Sequence, residues 1–147
     1  MRRFSVKGVL IGGVVDIVST NLFAIPVATV AVFSIARSTP SAVTHQAALM
    51  ALIATPPYKV ATFVTGASAS ILGGYVAAWL AKHDELLNGA FSAYLCVALG
   101  LIGMVTVTAS PADRLLEVAM MPLSPALGLF GGYLRLRQTR PLPPQPA

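Results

Sequence analysis

Four long apolar stretches, almost free of charge, constrain this chain more than any other feature. Between 8 and 36 the only Asp, Glu, Lys or Arg is Asp16, between 58 and 81 it is Lys59, and 86–109 holds none. The stretch 115–134 carries only Glu117. A helix rises 1.5 Å per residue, so about 20 apolar residues cross a hydrocarbon core ~30 Å thick. Charged residues are 10% of the sequence and apolar ones 56%, with a mean hydropathy of +0.77, whereas soluble domains carry about 25% charge. The expectation is an all-α membrane protein: a four-transmembrane-helix bundle with spans at 8–36, 58–81, 86–109 and 115–134.

The connections 82–85 and 110–114 are short, which makes their flanking helices antiparallel hairpins. The longest connection, 37–57, predicts a short helix over 41–54, capped by Ser41 and stopped by Pro56-Pro57. It is too short to span, and its apolar second half suits the interface at the outer face of the bundle. Pro26 is expected to kink the first span, and Pro122 and Pro125 to bend the fourth. Residues 1–136 form one transmembrane domain, followed by a Pro-rich cytoplasmic tail at 137–147.

Short cytoplasmic flanks collect Lys and Arg. With both termini cytoplasmic, the inner side holds Arg2, Arg3, Lys7, Lys82, Arg135, Arg137 and Arg140, against Arg37, Lys59 and Arg114 outside. Trp79, Tyr75 and Tyr133 then lie near inner span ends and Tyr58 near an outer one, as interfacial anchors do. The net charge of +5 sits beside apolar runs without aromatic interleaving, so its partner is the lipid bilayer, with anionic lipid at the cytoplasmic face, and not nucleic acid. The first residues imitate a signal peptide, but apolar sequence continues past Asp16 to Ala36, which predicts a retained helix. Arg2-Arg3 lacks the spacing of a twin-arginine signal. The single Cys96 excludes an internal disulfide and reads as a small buried hydrophobe.

Asp16 is the leading site candidate, about nine residues inside the first span and roughly 13 Å from its inner end. An ionised carboxylate there costs several kcal/mol, so Asp16 is expected to be protonated, hydrogen-bonded or facing a hydrated cavity. Thr20 and Asn21 lie near it on the same helix, and matching depths nominate Ser70, Ser92, Tyr94 and Ser124 as partners on the others. Two roles compete. Asp16 serves either as a proton or cation site, or as a hydrogen-bonded group that sets bundle register; the second is favoured because no other ionisable side chain shares its depth.

Small residues recur four apart: Gly8 and Gly12; Gly66, Ser70, Gly74 and Ala78; Gly89 and Ala93; Gly128 and Gly132. Such residues let helix backbones approach closely, and the long stripe on the second span winds round to serve two neighbours, placing that helix centrally. His45 and His83 fall on opposite faces in this topology and cannot share a metal. The chain shows no nucleophile elbow, phosphate loop, Cys/His cluster or paired carboxylates, so neither an enzyme nor a cofactor is expected.

The second span ends Gly73-Gly74-Tyr75 and the fourth Gly131-Gly132-Tyr133, a sign of duplicated hairpins pointing the same way. Gly73-Gly74-Tyr75-Val76-Ala77-Ala78, a polar turn, Leu86-Leu87-Asn88-Gly89-Ala90 and Val15-Asp16 together resemble small uncharacterised four-helix bacterial inner-membrane proteins. Those proteins commonly carry a further Gly in the third span where this chain has Tyr94. The resemblance implies an inner (plasma) membrane location and carries no activity. The expected function is that of a structural, assembly or accessory subunit acting by helix packing, as a homo-oligomer or within a larger membrane complex. The alternative is a minimal ion channel or proton-coupled transporter that uses Asp16.

Overall fold

The computed structural model of the chain describes residues 5–38, 42–106 and 111–139. Ser41, Arg2, Arg3 and Arg140, the connection at 110 and the tail from 140 onward lie outside them, as do the side chains of His45 and Glu117. Six helices follow one another: α1 (Val6–Ser38), α2 (Ala42–Ile53), α3 (Pro56–Ala81), α4 (Glu85–Thr106), α5 (Pro111–Met120) and α6 (Leu123–Thr139). The described residues contain no strand. Three helices, at Val6–Arg37, Pro56–Ala81 and Glu85–Ile102, are long and apolar enough to cross a membrane.

Local chemistry sets most of the boundaries. Ser5 Oγ accepts the Gly8 N–H at 3.2 Å, an N-cap that starts α1. Pro56 and Pro57 stop α2 and open α3, two residues earlier than expected, because proline's missing N–H is harmless in a first helical turn. The α3–α4 turn is made by Lys82 and Asp84, both at positive φ (58° and 44°), with the Lys82 N–H returned to Ala78 O at 3.2 Å.

The stretch 115–134, expected as one span, is two helices. Pro122 and Pro125 withhold amide donors in successive turns, so Val118 O takes the Met121 N–H in a tight turn and the helix restarts at Leu123. Pro26 removes only one such donor, and α1 runs unbroken past it. Helix α6 also extends to Thr139, so the first residues assigned to the tail are helical.

Helices α3 and α4 pack on each other, and both pack on α1 and on α6, while α1 and α6 are not a close pair. The four therefore make a rhombus with α3 and α4 as its short diagonal. Ser5, the α3–α4 turn and the end of α6 share one end of it, here the lower end: Ser5 N–H donates to Asn88 Oδ1 at 2.9 Å, and Gly132 packs on Glu85 and Leu86. Asn88, fully buried, also donates to His83 O at 2.9 Å and Asp84 O at 3.1 Å, tying the start of α1 to the turn.

Backbones touch throughout this lower half. A Cβ on Gly12 would lie 2.6 Å from Gly73 O, and one on Gly8 2.9 Å from Ala77 O. Gly74 packs directly on the Gly128 carbonyl and Gly128 on the Gly89 carbonyl, so α3, α4 and α6 meet at three glycines. Gly131, read from sequence as part of the repeat and not as a packing residue, lies against Ile71 and Tyr75, and Gly13 against Ser92 and Leu95. The two Gly-Gly-Tyr segments thus lie side by side on helices that run in parallel. In the upper half the helices part: Gly66 and Gly100 would meet nothing within 4 Å. Gly66, expected as a packing residue, makes no such contact, because α6 begins only at Leu123 and leaves the slot above Ser124 without its continuation.

Size runs opposite to the order found in water-soluble proteins. The buried apolar residues are mainly alanines, and the largest fully buried side chains are Asn88, Asp16 and Ser92. Leu10, Val14, Val18 and Leu22 form an exposed stripe on α1, while Phe91, Tyr94, Leu129 and Phe130 face outward from α4 and α6. Gly128→Val is expected to part three backbones and destabilise the bundle by about 1–3 kcal/mol in detergent. Gly66→Val should stay within about 0.5 kcal/mol; equal losses for the two, read by thermal unfolding followed by circular dichroism, would contradict this packing.

Candidate functional site

One polar cluster lies inside the rhombus. Asp16 is 1% exposed, carried on the face of α1 that packs on α3, where its Cβ would be 2.7 Å from a Cβ on Gly73. Only glycine at 73 admits the aspartate at that depth. Ser70, one turn earlier on α3, donates its hydroxyl to the carboxyl group, 3.1 Å from Oδ2 and 3.3 Å from Oδ1. Thr20, one turn along α1, donates to Oδ1 at 3.5 Å.

Two more helices reach the cluster. Ser124, at the start of α6, lies 3.5 Å from Ser70 Oγ. With the single Ser70 proton directed at Asp16, Ser124 is the donor in that pair, which gives a relay from Ser124 to Ser70 to Asp16. The Cys96 thiol of α4 lies beside the same carboxyl group. Cys96, read from sequence as a plain hydrophobe, is a polar partner of Asp16.

The other nominated residues stand apart. Asn21 is exposed and donates to Ile17 O of its own helix at 2.7 Å. Tyr94 is 53% exposed and tilts against Phe91 with ring centroids 5.6 Å apart. Ser92 is fully buried, but its hydroxyl turns back to Gly89 O at 2.8 Å. Azimuth separates Asn21 and Tyr94 from the cluster, whereas Ser92 shares the inward face of α4 and spends its hydroxyl within its own helix. Cys96 lies one helical turn from Ser92 on the same face of α4, and that four-residue step was the available sign of it.

No buried side-chain nitrogen or oxygen among the described residues lacks a hydrogen-bond partner. Nor does any group of three or more His, Cys, Asp or Glu gather among them. What the cluster can do chemically is hold one proton or share it along hydroxyls, and link all four helices of the rhombus. Comparison of the chain with protein families, with curated proteins and with solved structures finds no match.

Buried polar contacts in helix bundles of this kind contribute about 0.6–2 kcal/mol each. Ser70→Ala is expected to destabilise by about 1 kcal/mol. Asp16→Asn keeps the size of the carboxyl and an acceptor oxygen, so it should fold with a loss of less than about 1.5 kcal/mol. Asp16→Leu strands the Ser70 hydroxyl and crowds Gly73, and should cost about 3 kcal/mol or more; thermal unfolding in one detergent ranks the three, and a Leu variant as stable as the Asn one would exclude a register role for Asp16.

Proposed function

We propose that this chain is a polytopic membrane protein of the bacterial inner membrane that acts by helix packing, as a structural, assembly or accessory subunit, and performs no catalysis. In this reading α1, α3 and α4 each cross the bilayer, and α5 with α6 makes a fourth crossing broken at Met121–Pro122. The inverted distribution of side-chain size supports the bilayer: alanine and glycine inside, large apolar side chains outside. Hydrocarbon solvates such a surface, whereas water would penalise it.

Lys7, Lys82, Arg135 and Arg137 belong to the lower end, and Arg37, Lys59 and Arg114 to the upper parts of α1 and α3 and to α5. The excess of Lys and Arg favours the lower end as the cytoplasmic one, against anionic lipid, with both termini inside. Reporter fusions at residues 1 and 147 should both read cytoplasmic.

The observation that carries the packing role is the full engagement of Asp16. Its carboxyl oxygens accept from Ser70 and Thr20, Cys96 lies alongside, and it has 1% exposure, so its polarity joins helices. One observation favours the second reading, a minimal channel or proton-coupled transporter: the hydroxyl relay from Ser124 through Ser70 ends on that carboxyl. Purified protein in liposomes separates the two. Packing alone predicts no proton or cation flux above that of empty vesicles, together with reproducible co-purification of a partner or a second copy. A flux removed by Asp16→Asn would overturn the packing role in favour of transport.

A further inference from the structure

Asn21 is the only carboxamide on α1, and it is exposed on the outer surface of the bundle. At 1.5 Å per residue it lies roughly 21 Å along the helix from Lys7 and roughly 24 Å from Arg37. With α1 crossing the bilayer, that position is deep in the hydrocarbon core. Among the described residues its side chain makes one hydrogen bond, from Nδ2 to Ile17 O of its own helix at 2.7 Å. That bond uses one of two N–H groups and none of the acceptor capacity. An N–H and the Oδ1 oxygen are left facing outward, where lipid tails supply no partner for either.

The residues around it form a seam. Val14, Asn21 and Ala28 are seven apart, and Leu10, Ile25 and Val32 lie within about 40° of Asn21 round the helix. All six are exposed, and they are opposite the face on which Gly12 meets Gly73, so the packing of the bundle leaves them uncovered. A carboxamide with one free donor and one free acceptor is its own complement: two of them turned toward each other exchange two hydrogen bonds. Copies of one chain inserted in the same sense hold residue 21 at one depth, so a twofold axis along the membrane normal brings Asn21 to Asn21 with no shift of register. A seven-residue repeat keeps one seam in contact between parallel helices, and an asparagine on it fixes register and copy number. Ala28, one repeat above, is small enough for the helices to approach closely.

We infer that this face of α1 binds a second copy of the chain, giving a parallel dimer with the two Asn21 side chains hydrogen-bonded at its centre. The inference rests on the packing role proposed above and names the partner and the surface for it. Asp16, on the inner side of the same helix, holds one chain together, and Asn21 joins two.

The test is single-molecule photobleaching of the full chain, carrying one C-terminal fluorophore, over a dilution series in phosphatidylethanolamine–phosphatidylglycerol liposomes. Two bleaching steps are expected at high protein-to-lipid ratio, falling to one on dilution. Asn21→Leu, which suits a lipid-facing position, should weaken the dimer about tenfold with helix content unchanged. Asn21→Gln keeps the carboxamide and should stay within about threefold of the unmodified chain. Copper-catalysed oxidation should link Val14→Cys and Ala28→Cys into disulfide dimers and leave Leu129→Cys, across the bundle on α6, monomeric; the native Cys96 is common to all three.

A monomer at every dilution, or a dimer that Asn21→Leu leaves intact and that links through Leu129→Cys instead, would overturn the assignment while leaving the packing role to another surface. An unrelated chain that co-purifies with the unmodified protein and is lost with Asn21→Leu would overturn the choice of a second copy. Proton flux abolished by Asp16→Asn with the dimer intact would remove the packing role and keep the interface. Solubility without detergent would remove the membrane reading itself, a result distinguishable from all of these.

Discussion

Contact between helix backbones is the interaction on which the rest of this structure depends. Gly74, Gly89 and Gly128 bring three helices together with nothing larger than a hydrogen atom between them, and Gly12 and Gly73 do the same for α1 and α3. In the proposed membrane setting, a bundle whose outer surface is leucine, valine and phenylalanine gains nothing from burying those side chains, and dispersion between closely apposed backbones takes over. The alanine-lined interior follows from this. Larger side chains at the seams would separate the helices and forfeit the contacts that hold them.

Asp16 depends on that proximity. Its carboxyl reaches Ser70 because Gly73 lets α1 approach α3, and it meets Cys96 because α4 closes the same corner. In a low-dielectric interior a polar group left without partners is costly, and one with a full set is directional. The cluster therefore adds orientation to packing that is otherwise indifferent to rotation about the helix axis. Asn88 acts similarly at the lower end, where a fully buried amide joins the beginning of α1 to the turn between α3 and α4.

The upper half of the bundle is built differently. Two prolines three residues apart break the fourth hydrophobic stretch, α6 begins level with Asp16 and Ser70, and the glycines above it on α3 and α4 face open space. On the other side of α3, a groove beside Tyr58 lies between α1, the end of α2 and α3. One short chain thus has a tight glycine-lined lower half and an upper half with an apolar groove at its surface.

Hydropathy and proline placement already determined the helical class, the positions of α1, α3 and α4, the α2 stop at Pro56 and the polar character of the position at Asp16, because these depend on residues near in sequence. The four-residue glycine spacing likewise showed that helices would touch. Which residues face one another was decided only in three dimensions: a helix turns 100° per residue, and depth alone cannot distinguish Cys96, which meets Asp16, from Tyr94, which points outward. The same holds for Gly66, whose spacing matches that of Gly74 yet finds no neighbour, because its partner helix is cut short by proline chemistry more than 50 residues away. Periodicity sets the direction of a side chain within its own helix; contact also needs a second helix to be there.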